Sequence, residues 1–230
     1  MPPRRTDVQY DYITDGSAIY DESFRIIRAE ANLVRLPDDL APVAVRMIHA
    51  SAQTDIVDDL AWSDGVVSAA REALLDGAPI LCDSTMVATG IIRSRLPKDN
   101  QVVCLLQHPE VAELAKAKGI TKTMTAVELW AQQGLLNGAV VAIGNAPTSL
   151  FRLLEVVRDT GIRPAAVVGI PVGFVGAAES KQALADNDLG LEFLTLKGRR
   201  GGSAIAVSAV NAIASTDEHT NQAMLDRIRG

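Results

Sequence analysis

Several things that would fix a function at once are scarce in this chain. Its 230 residues include only two cysteines, Cys82 and Cys104. Both lie in apolar runs, where a free thiol packs as a small hydrophobe more readily than it forms a disulfide or metal pair. No apolar run approaches the roughly 18 residues of a membrane-spanning helix. Arg4-Arg5 is followed by polar residues rather than an apolar signal core, so the protein is expected in the cytoplasm. Positive charge is not in excess either: 22 basic residues against 28 acidic ones leave a net charge of −6, which argues against nucleic acid as a partner. The nucleophile elbow Gly-x-Ser-x-Gly is missing, as are the Gly-Lys-Ser/Thr phosphate loop and any His, Cys and carboxylate spacing that suits zinc. Hydrolase, phosphate-loop and metalloenzyme readings lose their usual support.

What is present is the pattern of one α/β domain spanning 1–230, with an arm at about 1–10 and a tail at about 215–230 outside its core. Hydrophobic residues make up 48% of the chain and charged ones 22%, the balance of a compact folded protein. Short apolar runs at 79–82, 101–106, 139–143, 165–170 and 191–196 read as five strands. They are continuously apolar rather than alternating, as strands covered on both faces are. Helical spacing at 110–118, 125–136, 148–160, 177–185 and 203–214 separates and follows them. The alternation predicts a three-layer α/β/α fold around a five-stranded, mainly parallel sheet. Two helices, 17–32 and 38–52, precede the sheet, with Ser17 expected to cap the first and Pro37-Asp38 to start the second. Segment 53–62 is ambiguous, and the polar tail 215–230 reads as a terminal helix.

In an open parallel sheet the ligand crevice lies beyond the carboxyl ends of the strands. Glycine-rich turns fall there at 143–148, 169–180 and 197–203, each able to turn backbone N–H groups toward an anion. The spacing and Pro171 do not fit the dinucleotide fingerprint. Lys197, Arg199 and Arg200 precede the last helix and suit a carboxylate or phosphate; the alternative is an ordinary solvated turn. Of the three histidines, His219 is in the polar tail, and His108 stands before Pro109, where a capping or loop role fits. His49 differs, because it lies three residues after Arg46 on an otherwise apolar helix and so shares a face with it. Such a stripe either meets polar partners in a core or is aimed into a cavity. An Arg beside the imidazole favours its neutral form unless an anion compensates. The residues alone give an anion-friendly α/β protein with one candidate proton-transfer group.

Six ordered blocks of the chain resemble the precorrin-8X methylmutase family from residue 11 to about 214. They include Asp15-Gly16-Ser17-Ala18-Ile19-Tyr20, Ser23-Phe24-Arg25-Ile26-Ile27-Arg28-Ala29-Glu30 and Arg46-Met47-Ile48-His49-Ala50. Gly77 to Asp83, Ala142 to Thr148 and Pro171 to Lys181 complete the set. The chain departs from the family's pattern at Ser51-Ala52, where Cys-Gly is common, and at Ala88-Thr89-Gly90, where His-Gly is common. The resemblance implies an isomerase of cobalamin biosynthesis that moves a methyl group from carbon 11 to carbon 12 of a tetrapyrrole polycarboxylate, giving hydrogenobyrinic acid without redox or metal cofactor. It implies His49 as the proton donor or acceptor, Ser23 and Arg46 as substrate ligands, and a homodimer with active sites between subunits. The substrate's many carboxylates give Arg46, Lys197, Arg199 and Arg200 a shared purpose. A cobalt-precorrin-8 methylmutase and a non-catalytic tetrapyrrole carrier on the same fold are the alternatives.

Overall fold

A computed structural model describes residues 10–215. Its elements run α1 (Gly16–Glu30), α2 (Ala41–Ser51), β1 (Leu60–Trp62), α3 (Val66–Leu75), β2 (Ile80–Cys82), α4 (Thr85–Gly90), β3 (Val102–Val103) and α5 (Pro109–Lys118). They continue through α6 (Lys122–Gln132), β4 (Val140–Ile143), α7 (Pro147–Thr160), β5 (Ala166–Gly169), α8 (Ala177–Ala185), β6 (Phe193–Leu196) and α9 (Ser203–Ala214). The sheet order is β1-β6-β5-β4-β2-β3, parallel throughout except that β1 runs antiparallel to β6.

All five expected strands are present, and every residue of β2, β4, β5 and β6 is buried, which is why those runs carry no polar alternation. The sixth, β1, lies at the end of the ambiguous segment. Its aspartates occupy the 3₁₀ turn Thr54–Asp59, which leaves three residues to pair with β6. The second expected strand, observed as β3, is shorter than its apolar run, because the chain turns into the 3₁₀ segment Leu105–Gln107. The helices α3 and α4 were not foreseen. Asp15, not Ser17, caps α1: its carboxylate accepts the Ala18 N–H at 2.8 Å. Residues 38–40 form a turn, so α2 begins at Ala41 with proline in its first turn. His108 precedes α5 but its side chain makes no capping hydrogen bond. Cys82 is buried on β2 and Cys104 is half-buried past β3, both free thiols. Most of the arm and tail, with His219, lie outside the described residues.

Two apolar clusters cover the sheet. On one face α3, α4 and α9 contribute Val67, Val87, Ala206 and Val210, and α1 and α2 extend the same cluster outward through Phe24, Ile27, Met47 and Ile48. On the other, α6, α7 and α8 contribute Trp130, Leu150, Leu153 and Leu184. The helix α2 packs against α9, and α9 lies across β4 and β5. Residues at the C-terminal end of α2 are thereby carried to the part of the molecule where the chain leaves β6 for α9.

Candidate active site

The helix α2 sends Val43, Ala44, Val45, Met47 and Ile48 into the core. This leaves Arg46 half-buried and His49 exposed on the opposite stripe, as their spacing requires. Across from them α1 presents Tyr20 and Phe24, one turn apart, with ring centroids 4.3 Å from each other. The His49 ring lies 5.0 Å from Phe24 and 5.7 Å from Tyr20, edge-on to the latter. The Arg46 guanidinium stands 5.0 Å from the Phe24 centroid and 5.3 Å from that of Tyr20. Two aromatic rings thus form a platform that holds a cation and an imidazole side by side, with each cation–π contact contributing about 0.5–1 kcal/mol at a partly exposed site.

Among the described residues Arg46 makes no hydrogen bond or ion pair, and neither ring nitrogen of His49 has a hydrogen-bond partner. Burial against the aromatic rings, and then the Arg46 charge, push the imidazole below its ordinary value. Neutral His49 therefore offers one N–H donor and one lone pair to whatever lies against it. Arg95, on the 3₁₀ turn Arg93–Arg95, is also close: burial and then the Arg46 charge lower its pKa. Ser23, on the next position of α1 before Phe24, donates its hydroxyl to the Ile19 carbonyl at 2.8 Å, leaving its lone pairs as acceptors. Neither the Tyr20/Phe24 platform nor Arg95 was found from sequence. The i, i+4 aromatic spacing on α1 was an available signal for the first; nothing local signals the second.

The three glycine-rich turns behave differently from one another. After β4, the amides of Gly144, Asn145 and Ala146 donate to Asp83, a buried carboxylate at the end of β2, at 3.0, 2.9 and 2.7 Å. That turn already holds its anion, and it comes from within the protein. Burial pushes the Asp83 carboxyl above the usual carboxylate range against the pull of these N–H groups. After β5, Val172, Phe174 and Val175 are exposed, the last two by 85% and 89%. After β6, Lys197 and Arg199 are exposed with no carboxylate partner among the described residues, and the Arg199 guanidinium lies 5.6 Å from the Phe174 ring.

Arg200 departs from the expectation of three available cations. Its guanidinium donates to Asp55 and Asp59, each at 2.7 Å, and to the Gln53 side chain at 3.2 Å. Its charge is matched by two carboxylates from the turn that begins just past the end of α2, so the loop offers two open cations rather than three. The same bonds bring the β6–α9 loop next to the segment that follows His49, a placement that joins the two basic features. No cluster of three His, Cys, Asp or Glu side chains suited to a metal ion occurs among the described residues.

Residues 18–216 match the family model described as Precorrin-8X methylmutase. The chain is 52% identical over 206 residues to the Precorrin-8X methylmutase of a Sinorhizobium species, covering 90% of this chain and 97% of that one. It is 53% identical over 208 residues to the Precorrin-8X methylmutase of Pseudomonas aeruginosa, covering 90% and 99%. A solved structure of precorrin-8x methyl mutase from Thermus thermophilus superposes with a TM-score of 0.78 at 43% identity, over 86% of this chain and 95% of that one.

Proposed function

Because the chain belongs to the precorrin-8X methylmutase family, we propose that the α1–α2 corner is where it moves the methyl group of precorrin-8X from carbon 11 to carbon 12, with His49 as the proton-transfer group. The enzyme is an isomerase: substrate and product have the same atoms. What the protein must supply is a particular tautomer of the macrocycle, held still. A neutral imidazole with both ring nitrogens open can give a proton to a ring nitrogen or take one from it, which redistributes electrons around the migrating methyl. General acid–base help of this kind contributes on the order of 10²–10⁴ in rate.

The single observation that carries this reading is the Arg46/His49 stripe seated on Tyr20 and Phe24. The rings offer an apolar surface for a flat macrocycle. Arg46 can grip an acetate or propionate carboxylate through two N–H groups, and Ser23 adds a hydroxyl to the same rim. A carboxylate on Arg46 would also offset the charge that depresses His49, so substrate binding raises the basicity of its own catalyst. Lys197 and Arg199 serve the outer carboxylates, with Arg200 fixing the loop that carries them. No redox or metal cofactor takes part. We place the enzyme in the cytoplasm as a homodimer with active sites between subunits, for which the exposed Phe174 and Val175 offer apolar surface; no helix among the described residues is long and apolar enough to cross a membrane.

Incubation with precorrin-8X, followed by absorption spectroscopy, tests the activity. Conversion to the hydrogenobyrinic acid spectrum is expected with metal-free substrate. Turnover of cobalt-loaded substrate alone would assign the protein to the cobalt branch, and binding without spectral change would make it a carrier.

A further inference from the structure

Lys181 is the one ammonium of the described residues that is wholly buried. It sits on α8, beneath the loop between β6 and α9, and burial pushes its pKa down to about 8, with the Asp59 charge pulling the other way. Removing an ammonium from water is costly, and an apolar chain of similar length would fill the same volume without that cost. What such a chain could not do is donate a hydrogen bond, and the Lys181 ammonium donates to the main-chain carbonyl of Arg200.

That carbonyl is one of several points at which the loop is held. From the opposite side, Asp55 and Asp59 take the guanidinium of the same residue. The Lys197 amide donates to the Asp59 carbonyl at 2.8 Å, and the Gly202 amide to that of Ile170 at 2.9 Å. Gly201, at φ 159°, passes so close to the chain after β5 that a Cβ would stand 2.5 Å from the Pro171 oxygen. The loop therefore has one path, with Arg200 clamped at its main chain from below and at its side chain from the α2–β1 segment. Between the clamps and β6, Lys197 and Arg199 extend into solvent.

We propose that Lys181 is a positioning residue for substrate binding: by holding the Arg200 carbonyl it fixes the β6–α9 loop, so that Lys197 and Arg199 meet the carboxylates of the tetrapyrrole at set positions. This rests on the reading that those two cations bind substrate. On that reading they meet peripheral carboxylates, which take no part in the methyl shift and are held alike in ground state and transition state, so loosening the loop raises KM and leaves kcat in place.

The test compares Lys181→Met, Asp59→Asn and the double variant Lys197→Gln/Arg199→Gln in KM, kcat, thermal melting and hydrogen exchange of the 197–202 segment. For Lys181→Met the expected result is melting no lower than wild type, faster exchange in 197–202, KM raised by about three- to fivefold and kcat within about 1.5-fold. Wild-type KM and exchange in that variant would overturn the proposal and leave Lys181 as filler. Should Lys181→Met fail to fold, Asp59→Asn weakens the other clamp, leaving the Asp55 carboxylate alone on the Arg200 guanidinium, and must raise KM in the same direction; an unchanged KM and unchanged exchange of 197–202 there overturn the proposal. If the double variant keeps the wild-type KM, the reading that these cations bind substrate has failed and the role of Lys181 falls with it. A raised KM in the double variant beside an unchanged one in Lys181→Met removes Lys181 alone.

Discussion

The two sides of the sheet treat charge in opposite ways. On the α6–α7 side, the buried Glu128 carboxylate takes Lys118 and Arg152, and Arg152 reaches on to Glu155 at 2.7 Å. Burial alone would raise the Glu128 carboxyl, but the two cations hold it below its ordinary value. On the α1–α2 side, Arg46 faces aromatic rings, Arg95 comes close to it with the same sign, and His49 has no hydrogen-bond partner among the described residues. A network of opposite charges holds a fold together; a guanidinium such as that of Arg46, with no carboxylate beside it and an open imidazole next to it, suits an anion from outside. On the proposed function, the first set of residues stabilises this protein and the second serves its substrate, so each set should fail differently when altered.

The largest effect is expected at His49. Replacing it with Ala should lower single-turnover conversion of precorrin-8X by about 10²–10⁴ while melting stays near wild type, since the ring is exposed and has no hydrogen bond to lose. Wild-type turnover in that variant would move the chemistry elsewhere. Glu128→Ala should show the reverse. Leaving Arg152 without its buried partner should cost about 2–3 kcal/mol of stability in denaturant titrations, less than a fully enclosed pair because Lys118 and Arg152 reach solvent. KM of the folded protein should not change; a raised KM would dissolve the distinction between the two sides.

How far this division was legible in the sequence depended on how local its cause is. Strands β4, β5 and β6 are covered on both faces, so their burial is written in consecutive apolar residues. The β1 strand is three residues long and exists only through its antiparallel pairing with β6, which no local pattern announces. The Arg46/His49 stripe follows from helical spacing alone. The commitment of Arg200 does not, because Asp55 lies 145 residues away in the chain. The loop's cations were countable, but which of them were already paired was not. The amides after β4 likewise looked open to a ligand until Asp83, 61 residues before Gly144, filled them.

Smaller effects sharpen the same contrast. Arg46→Lys should raise KM by roughly tenfold, about 1.4 kcal/mol, because an ammonium cannot grip a carboxylate at two points. An unchanged KM would make Arg46 only a structural neighbour of His49. Smallest is the contribution of Lys197 and Arg199 to the rate of encounter. Neutralising both should slow substrate association at low salt and flatten its salt dependence in stopped-flow binding, since exposed charges are screened beyond about 8 Å at physiological ionic strength. Single-turnover conversion of bound substrate should remain near wild type.

The claim that the α1–α2 corner awaits an anion is tested most directly by following the His49 ring by NMR as pH is varied, with and without hydrogenobyrinic acid. In the free protein burial and Arg46 disfavour the imidazolium, so the ring should remain neutral to a pH below the ordinary imidazole value of about 6.5. Arg46→Gln removes one of the two causes and should move the midpoint up. Bound polycarboxylate offsets the same charge and should move it up in the wild type but far less in Arg46→Gln. A free-protein midpoint at the ordinary value, unmoved by hydrogenobyrinic acid, would contradict the account.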